Sequence, residues 1–133
     1  MVADSTHGRA IRLLIVDDEA ALLDLLQRYL TRLGYEVDMA ANAEDALASF
    51  ASNPERYACV LTDLKLPGMG GEELLARMRA LRPGLPALIC SGYPYEPRTP
   101  ATGFLQKPYL PGMLAEELRR ILKKRTRGAA PDS

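Results

Sequence analysis

Short apolar runs alternate along this chain with stretches whose leucines recur every three or four residues, and nothing else in it constrains the fold as much. IRLLIV (11–16), YACVLT (57–62) and PALICS (86–91) are continuous enough to be strands buried on both faces. YEVDMA (35–40) alternates more, which suggests a sheet edge, and TGFLQ (102–106) is a short last strand. Between them lie helical patterns. Leu22, Leu23, Leu26, Tyr29, Leu30 and Leu33 share a helical spacing that Gly34 stops. Asn42 can cap a helix with Ala43, Leu47 and Phe50 inward, ended by Asn53-Pro54. GEELLARMRAL (71–81) puts Leu74, Leu75, Met78 and Leu81 on one side before Pro83-Gly84. PGMLAEELRRILKK (111–124) buries Leu114, Leu118, Ile121 and Leu122. Strand–helix alternation of this kind predicts an α/β fold with an open, doubly wound parallel sheet of five strands. In such sheets chemistry collects at the carboxyl ends of the strands.

Those ends carry reactive groups. The first strand runs into Asp17-Asp18, the third ends in Asp63, the fourth in Ser91, and the fifth leads to Lys107. Two carboxylates about 5 Å apart repel by roughly 3 kcal/mol at an effective dielectric of about 20. A cluster of three therefore needs a cation or shifted pKa values. All-oxygen donors with room for water suit Mg²⁺. Each residue alone has an ordinary explanation, as a helix cap or a solvated lysine; their joint placement on one rim does not.

Together, LLIVDDEAALL, VLTDLKLPGMGGEELL, LICSG and GFLQKPY resemble the receiver domain of two-component response regulators, over about residues 11–125. The last motif is most similar to receivers attached to hybrid histidine kinases. The resemblance implies the flavodoxin-like strand order 2-1-3-4-5, a receiver domain over 10–125, and flexible tails at 1–9 and 126–133. It implies that Asp63 is the phosphoacceptor, attacking a phosphoryl group carried by histidine. Asp18 would bind Mg²⁺ directly and Asp17 through water, with Asp63 and the backbone carbonyl of Lys65 completing the ligands. Lys107 would pair with the phosphoryl oxygens and Ser91 would donate to one of them. Ser91 and Phe104 would form the switch pair, Phe104 turning inward as Ser91 is drawn to the phosphoryl group. A cis bond before Pro108 would aim Lys107 into the site. Gly68, Gly70 and Gly71 are expected to give the loop after Asp63 its freedom.

The chain departs from the family pattern in one place. Twelve residues separate Ser91 from Phe104, and Pro94, Pro97 and Pro100 recur among them every third residue. A parallel crossover needs about a dozen residues including its helix. The fourth helix is therefore expected to be absent or a single turn, replaced by an extended link. Its loss could bare the sheet near Phe104 and Leu105, unless Tyr93, Tyr95 and the proline rings cover it. Either way the usual dimer through that helix is not expected, leaving a monomer or an atypical dimer. Lys65 and Tyr93, two residues beyond Asp63 and Ser91, flank the route of attacking water and could slow dephosphorylation.

Composition removes other classes. At 133 residues with 47% hydrophobic and 26% charged, the chain can bury one real core. Its net charge of zero gives no field for nucleic acid or membrane. Arg119, Arg120, Lys123, Lys124, Arg125 and Arg127 crowd the last helix, where they suit its dipole. No apolar run approaches the roughly 20 residues of a membrane span, and MVADSTHGRA lacks a signal h-region. Cys59 and Cys90 have no CxxC or histidine spacing, so a cytoplasmic setting with reduced thiols is expected. A redox role for Cys90, beside Ser91, is a lesser alternative, and His7 carries no functional claim. VDDEA puts negative charge where an anionic cofactor would need a glycine loop, against a flavodoxin-like cofactor binder.

The function expected is thus a phosphoacceptor receiver without an output domain. It would take its phosphoryl group from a histidine kinase or histidine phosphotransfer protein and switch a protein-binding surface. It would not be an enzyme acting on an external substrate. The alternative is a degenerate receiver that serves as a constitutive interaction module.

Overall fold

A computed structural model describes residues 10–129, with side chains described to Lys123. The expected tail at 1–9, with His7, and residues 130–133 lie outside the described residues. The elements run β1 (Arg12–Val16), α1 (Ala20–Arg32), β2 (Glu36–Ala40), α2 (Ala43–Ser52), β3 (Cys59–Asp63), α3 (Gly71–Leu81), β4 (Ala87–Ser91), β5 (Thr102–Gln106) and α4 (Pro111–Ala129). The sheet has five strands in the order β2-β1-β3-β4-β5, every pairing parallel.

Period-two alternation assigns each strand residue to a face. Leu14, Val16, Val60 and Ile89 pack with Ala46 and Phe50 of α2 and with Leu74 and Met78 of α3. Leu13, Ile15, Leu61 and Leu88 pack on the other face with Leu23 and Leu30 of α1 and with Leu114 and Leu118 of α4. A fully buried leucine such as Leu30 or Leu118 contributes roughly 1.5–3 kcal/mol through burial. The alternating pattern of β2 marks a sheet edge, and β2 is one of the two edge strands.

Helix ends follow their sequence signals with small shifts. Asn42 Oδ1 accepts the Asp45 N–H at 2.7 Å, capping α2. Gly34 takes φ 103° after α1, the left-handed conformation that suits glycine at a helix end. Leu33 and Leu81, read as inward, are exposed because each helix turns them past the sheet at its last residues. The last helix continues to Ala129 rather than ending at Lys124, so residues 126–129 are helical instead of tail.

Between β4 and β5 there is no helix among the described residues; 92–101 is bends and turns, as the prolines predict. The link is held at its far end. Arg79 of α3 donates to Leu85 O at 2.7 Å and to Ala101 O at 3.4 Å, joining the entries to β4 and β5. Thr99 and Thr102 close a turn through Thr102 N–H to Thr99 O at 3.1 Å, with their hydroxyls 3.0 Å apart.

Candidate functional site

The five parallel strands end on one rim, and the acidic residues meet there. Oxygen atoms of Asp17, Asp18 and Asp63 all lie within 4.8 Å of one another. Asp17 is buried at 4% exposure, Asp63 is half-buried and Asp18 exposed, so the cluster opens outward through Asp18. Lys107 reaches in from the turn after β5. Its Nζ stands 3.2 Å from Asp17 Oδ2 and 3.1 Å from Asp63 Oδ2. The Lys107–Pro108 bond is cis, and Lys107 N–H donates to Ser91 O at 2.7 Å. Burial works against the ammonium's charge, but hydrogen bonds and attraction from Asp63 and Asp17 outweigh it and raise its pKa.

Local structure orients the carboxylates. Asp17 Oδ1 accepts the Glu19 N–H at 2.9 Å, fixing its rotamer at the start of α1, which has no side-chain cap of its own. Asp63 Oδ1 lies 3.4 Å from the Lys65 N–H. Beneath the loop, a Cβ on Gly71 would collide with the Asp63 carbonyl oxygen. Of the three glycines read as a flexible loop, only Gly68 needs its freedom, at φ 80°. Gly71 is instead required by the close packing of α3's first residue under the Asp63 backbone.

Ser91, at the end of β4, is buried, and its Oγ accepts the Tyr93 N–H at 3.0 Å. Phe104 sits on β5 opposite Ile89, half-buried, with the Tyr95 ring against it at 5.9 Å between centroids. Leu105 does not face the link at all; it is buried under α4 on the other side. Of the residues expected to cover the sheet, Tyr95 does so. Tyr93 is 61% exposed and lies under Lys65 Nζ, 4.6 Å from the ring centroid. Lys65 and Tyr93 thus span the two loops beside the acidic cluster.

Three features were not read from the sequence. Tyr95 donates to Glu72 Oε2 at 2.8 Å, tying the link to α3. Tyr109 packs over Cys90, whose thiol burial pushes up to about 12, leaving it protonated and unsuited to redox chemistry. Leu22, Leu25, Leu26, Tyr29, Tyr109 and Pro111 line an apolar groove of about 530 Å³ that runs up to Lys107. The first two rest on contacts across long sequence separations, and the third on α1 meeting the turn after β5; none has a local pattern.

A carboxylate cluster with an ammonium at its centre, on the carboxyl rim of a parallel sheet, suits oxyanion and cation handling rather than nucleophile–base hydrolysis. The response regulator receiver domain model matches residues 13–119, and the chain belongs to that family. It is 34% identical over 104 residues to the transcriptional regulatory protein FixJ of Bradyrhizobium diazoefficiens, covering 71% of this chain and 48% of that protein. Among solved structures it is similar to the receiver domain of the hybrid histidine kinase CckA, at 33% identity and TM-score 0.76 over 84% of this chain and 98% of that one. A CheY-like receiver domain protein from Methanospirillum hungatei JF-1 gives 35% identity and TM-score 0.80 over 91% and 100%. The chain spans about half or less of the length of curated regulators such as FixJ and the dicarboxylate transport regulator DctD of Rhizobium meliloti. Among the described residues, no helix is long and apolar enough to cross a membrane.

Proposed function

We propose that this receiver accepts a phosphoryl group from a phosphohistidine onto Asp63 and thereby switches a protein-binding surface. The observation that carries the reading is Lys107 Nζ held between Asp17 and Asp63, with Asp18 completing the carboxylate cluster. An Asp63 oxygen attacks phosphorus, the P–N bond breaks with its electron pair going to the imidazole, and an acyl phosphate P–O bond forms. Lys107 then turns its hydrogen bonds from the free carboxylate to the phosphoryl oxygens. Ser91, one residue beyond Cys90, which is the register partner of Asp63, donates its hydroxyl to another of those oxygens.

The all-oxygen donor set fits Mg²⁺, which Asp17, Asp18 and Asp63 would hold with the Lys65 backbone carbonyl. When bound, it supplies charge neutralisation to the transferring group. Little covalent chemistry remains for the protein, whose part is positioning. The apolar groove beside Lys107 supplies a face on which a histidine kinase or phosphotransfer protein can present its phosphohistidine. The chain modifies itself and turns over no external substrate, in a cytoplasmic setting that matches its buried reduced thiols.

Intact mass after incubation with a small phosphoryl donor, with and without Mg²⁺, tests this on wild type and Asp63→Asn. One Mg²⁺-dependent adduct, absent in the variant, is expected. A folded wild type that gains no mass would overturn the reading in favour of a constitutive interaction module.

A further inference from the structure

We propose that Tyr95 is a latch: bonded to Glu72 and seated on Phe104, it holds the link 92–101 in its resting position and is released when Asp63 is phosphorylated. The proposal rests on the phosphoacceptor reading above.

The link carries no helix or strand, and its one backbone turn lies at the far end, at Thr99–Thr102, so the place of its middle depends on a few side chains. Tyr95 is one of only two half-buried residues between Gly92 and Pro100. Its ring meets Phe104 at 5.9 Å with a 52° tilt, and its hydroxyl donates to Glu72 in the first turn of α3 at 2.8 Å. Burial first, and then the Glu72 carboxylate, raise the pKa of this phenol, so it remains a donor at neutral pH. Where a crossover helix would roof Phe104, the Tyr95 ring from the link lies against it here.

The near end of the link is tied to the site. Ser91 Oγ, buried at the end of β4, accepts the Tyr93 N–H at 3.0 Å. Drawing Oγ toward a phosphoryl oxygen lengthens that bond and frees the backbone two residues before Tyr95. Phe104 cannot turn while the Tyr95 ring lies against it. Beside Tyr95 opens a cleft of about 380 Å³ over Leu75 and Ile89, rimmed by Arg98 and Thr99, which gives the displaced phenol somewhere to go. Ser91, Tyr93, Tyr95 and Phe104 form one continuous path from the phosphoryl site to the link, and the Glu72 bond opposes movement along it. Tyr95 and Glu72 are positioning residues, touching no phosphoryl atom.

Beryllofluoride, a phosphoryl mimic, provides the test in the presence of Mg²⁺. Its affinity for the full chain is measured in wild type, Tyr95→Phe, Glu72→Ala and the double variant, alongside thermal stability. A latch closed only in the resting state predicts about three- to tenfold tighter binding in each single variant, the size of one net hydrogen bond. The double variant should gain no more than either single one. A purely structural bond, kept in both states, would lower stability and leave affinity alone. Affinities within twofold of wild type in both single variants, or a double variant equal to the product of the two, would overturn the latch. Wild type that neither binds beryllofluoride nor gains phosphoryl mass would overturn the phosphoacceptor reading and the latch with it.

Discussion

Nζ of Lys107 lies 3.1 Å from Oδ2 of Asp63, although 44 residues separate them along the chain. The same ammonium serves Asp17, which is almost wholly buried, so it occupies the charge position that a divalent cation would also seek. Replacing Lys107 with Met should therefore tighten Mg²⁺ binding by about three- to tenfold while slowing phosphorylation. Without metal, the same variant should lose about 1–3 kcal/mol, because Asp17 is left buried beside a second carboxylate. Calorimetric titration and urea unfolding check the two halves separately.

Gly71 and Gly70 are adjacent, yet they should respond differently to alanine. A Cβ at Gly71 meets the Asp63 carbonyl, whereas at Gly70 the nearest atom, Leu64 O, is 3.4 Å away. Gly71→Ala should cost about 2 kcal/mol or more and disturb Asp63, and Gly70→Ala should be close to neutral. Denaturant midpoints of the two variants decide the matter, and equal values would refute the packing argument.

The Lys65–Tyr93 contact, at 4.6 Å, joins the loop that follows Asp63 to the loop that follows Ser91. A cation over an exposed aromatic ring is worth about 0.5–1 kcal/mol, enough to keep the two loops together much of the time. Tyr93→Ala should shorten the phosphoryl half-life severalfold by opening the route for water, and Lys65→Met should do so to a lesser degree. Half-lives unchanged from wild type would remove the shielding role.

Alkaline pH should reveal Tyr57. Its hydroxyl donates to Asp38 Oδ2 at 2.6 Å, while Asp38 also pairs with Arg12 at 2.6 Å and Arg56 at 3.5 Å. Burial, and then Asp38, push the Tyr57 pKa up to about 12 from the ordinary phenol value of 10.0. The unfolded chain gives up this proton first. The stabilisation is therefore complete below pH 10 and drains away as pH rises toward 12, by an amount on the order of 2 kcal/mol. Tyr57→Phe should remove its share of the alkaline slope, leaving the part that Cys90, Tyr95 and Tyr109 contribute through their own raised pKa values, and cost about 1 kcal/mol at neutral pH. Unfolding curves taken across this range provide the check.

What could be read from the sequence was whatever repeats locally. Leu13 to Val16 announce a doubly buried strand, Asn42 a helix cap, and three prolines the missing crossover, because each follows from neighbours within a few residues. The convergence of Asp17, Asp18, Asp63 and Lys107 followed once the strands were taken as parallel, since that topology puts their ends together. Side-chain partners across elements did not follow. Nothing near Tyr95 signals Glu72, and Gly71 looked like loop flexibility because its constraint comes from the Asp63 backbone above it. Leu105 shows a different failing: successive strand residues face opposite sides, so Phe104 and Leu105 could not both meet the link, and Leu105 lies under α4.

The link between β4 and β5 also bears on how the chain finds its fold. Ala87 pairs with Thr102 across it, whereas Arg12 pairs with Glu36, Val60 with Ala87, and Leu13 with Cys59. Of the four parallel pairings, β4–β5 closes the shortest span of chain, and Pro94, Pro97 and Pro100 restrict that span even while the chain is unfolded. Both effects lower the entropy lost in bringing its ends together. The two strands that carry Ser91 and Phe104 can therefore meet at the smallest conformational cost in the sheet, without waiting for a helix to form between them.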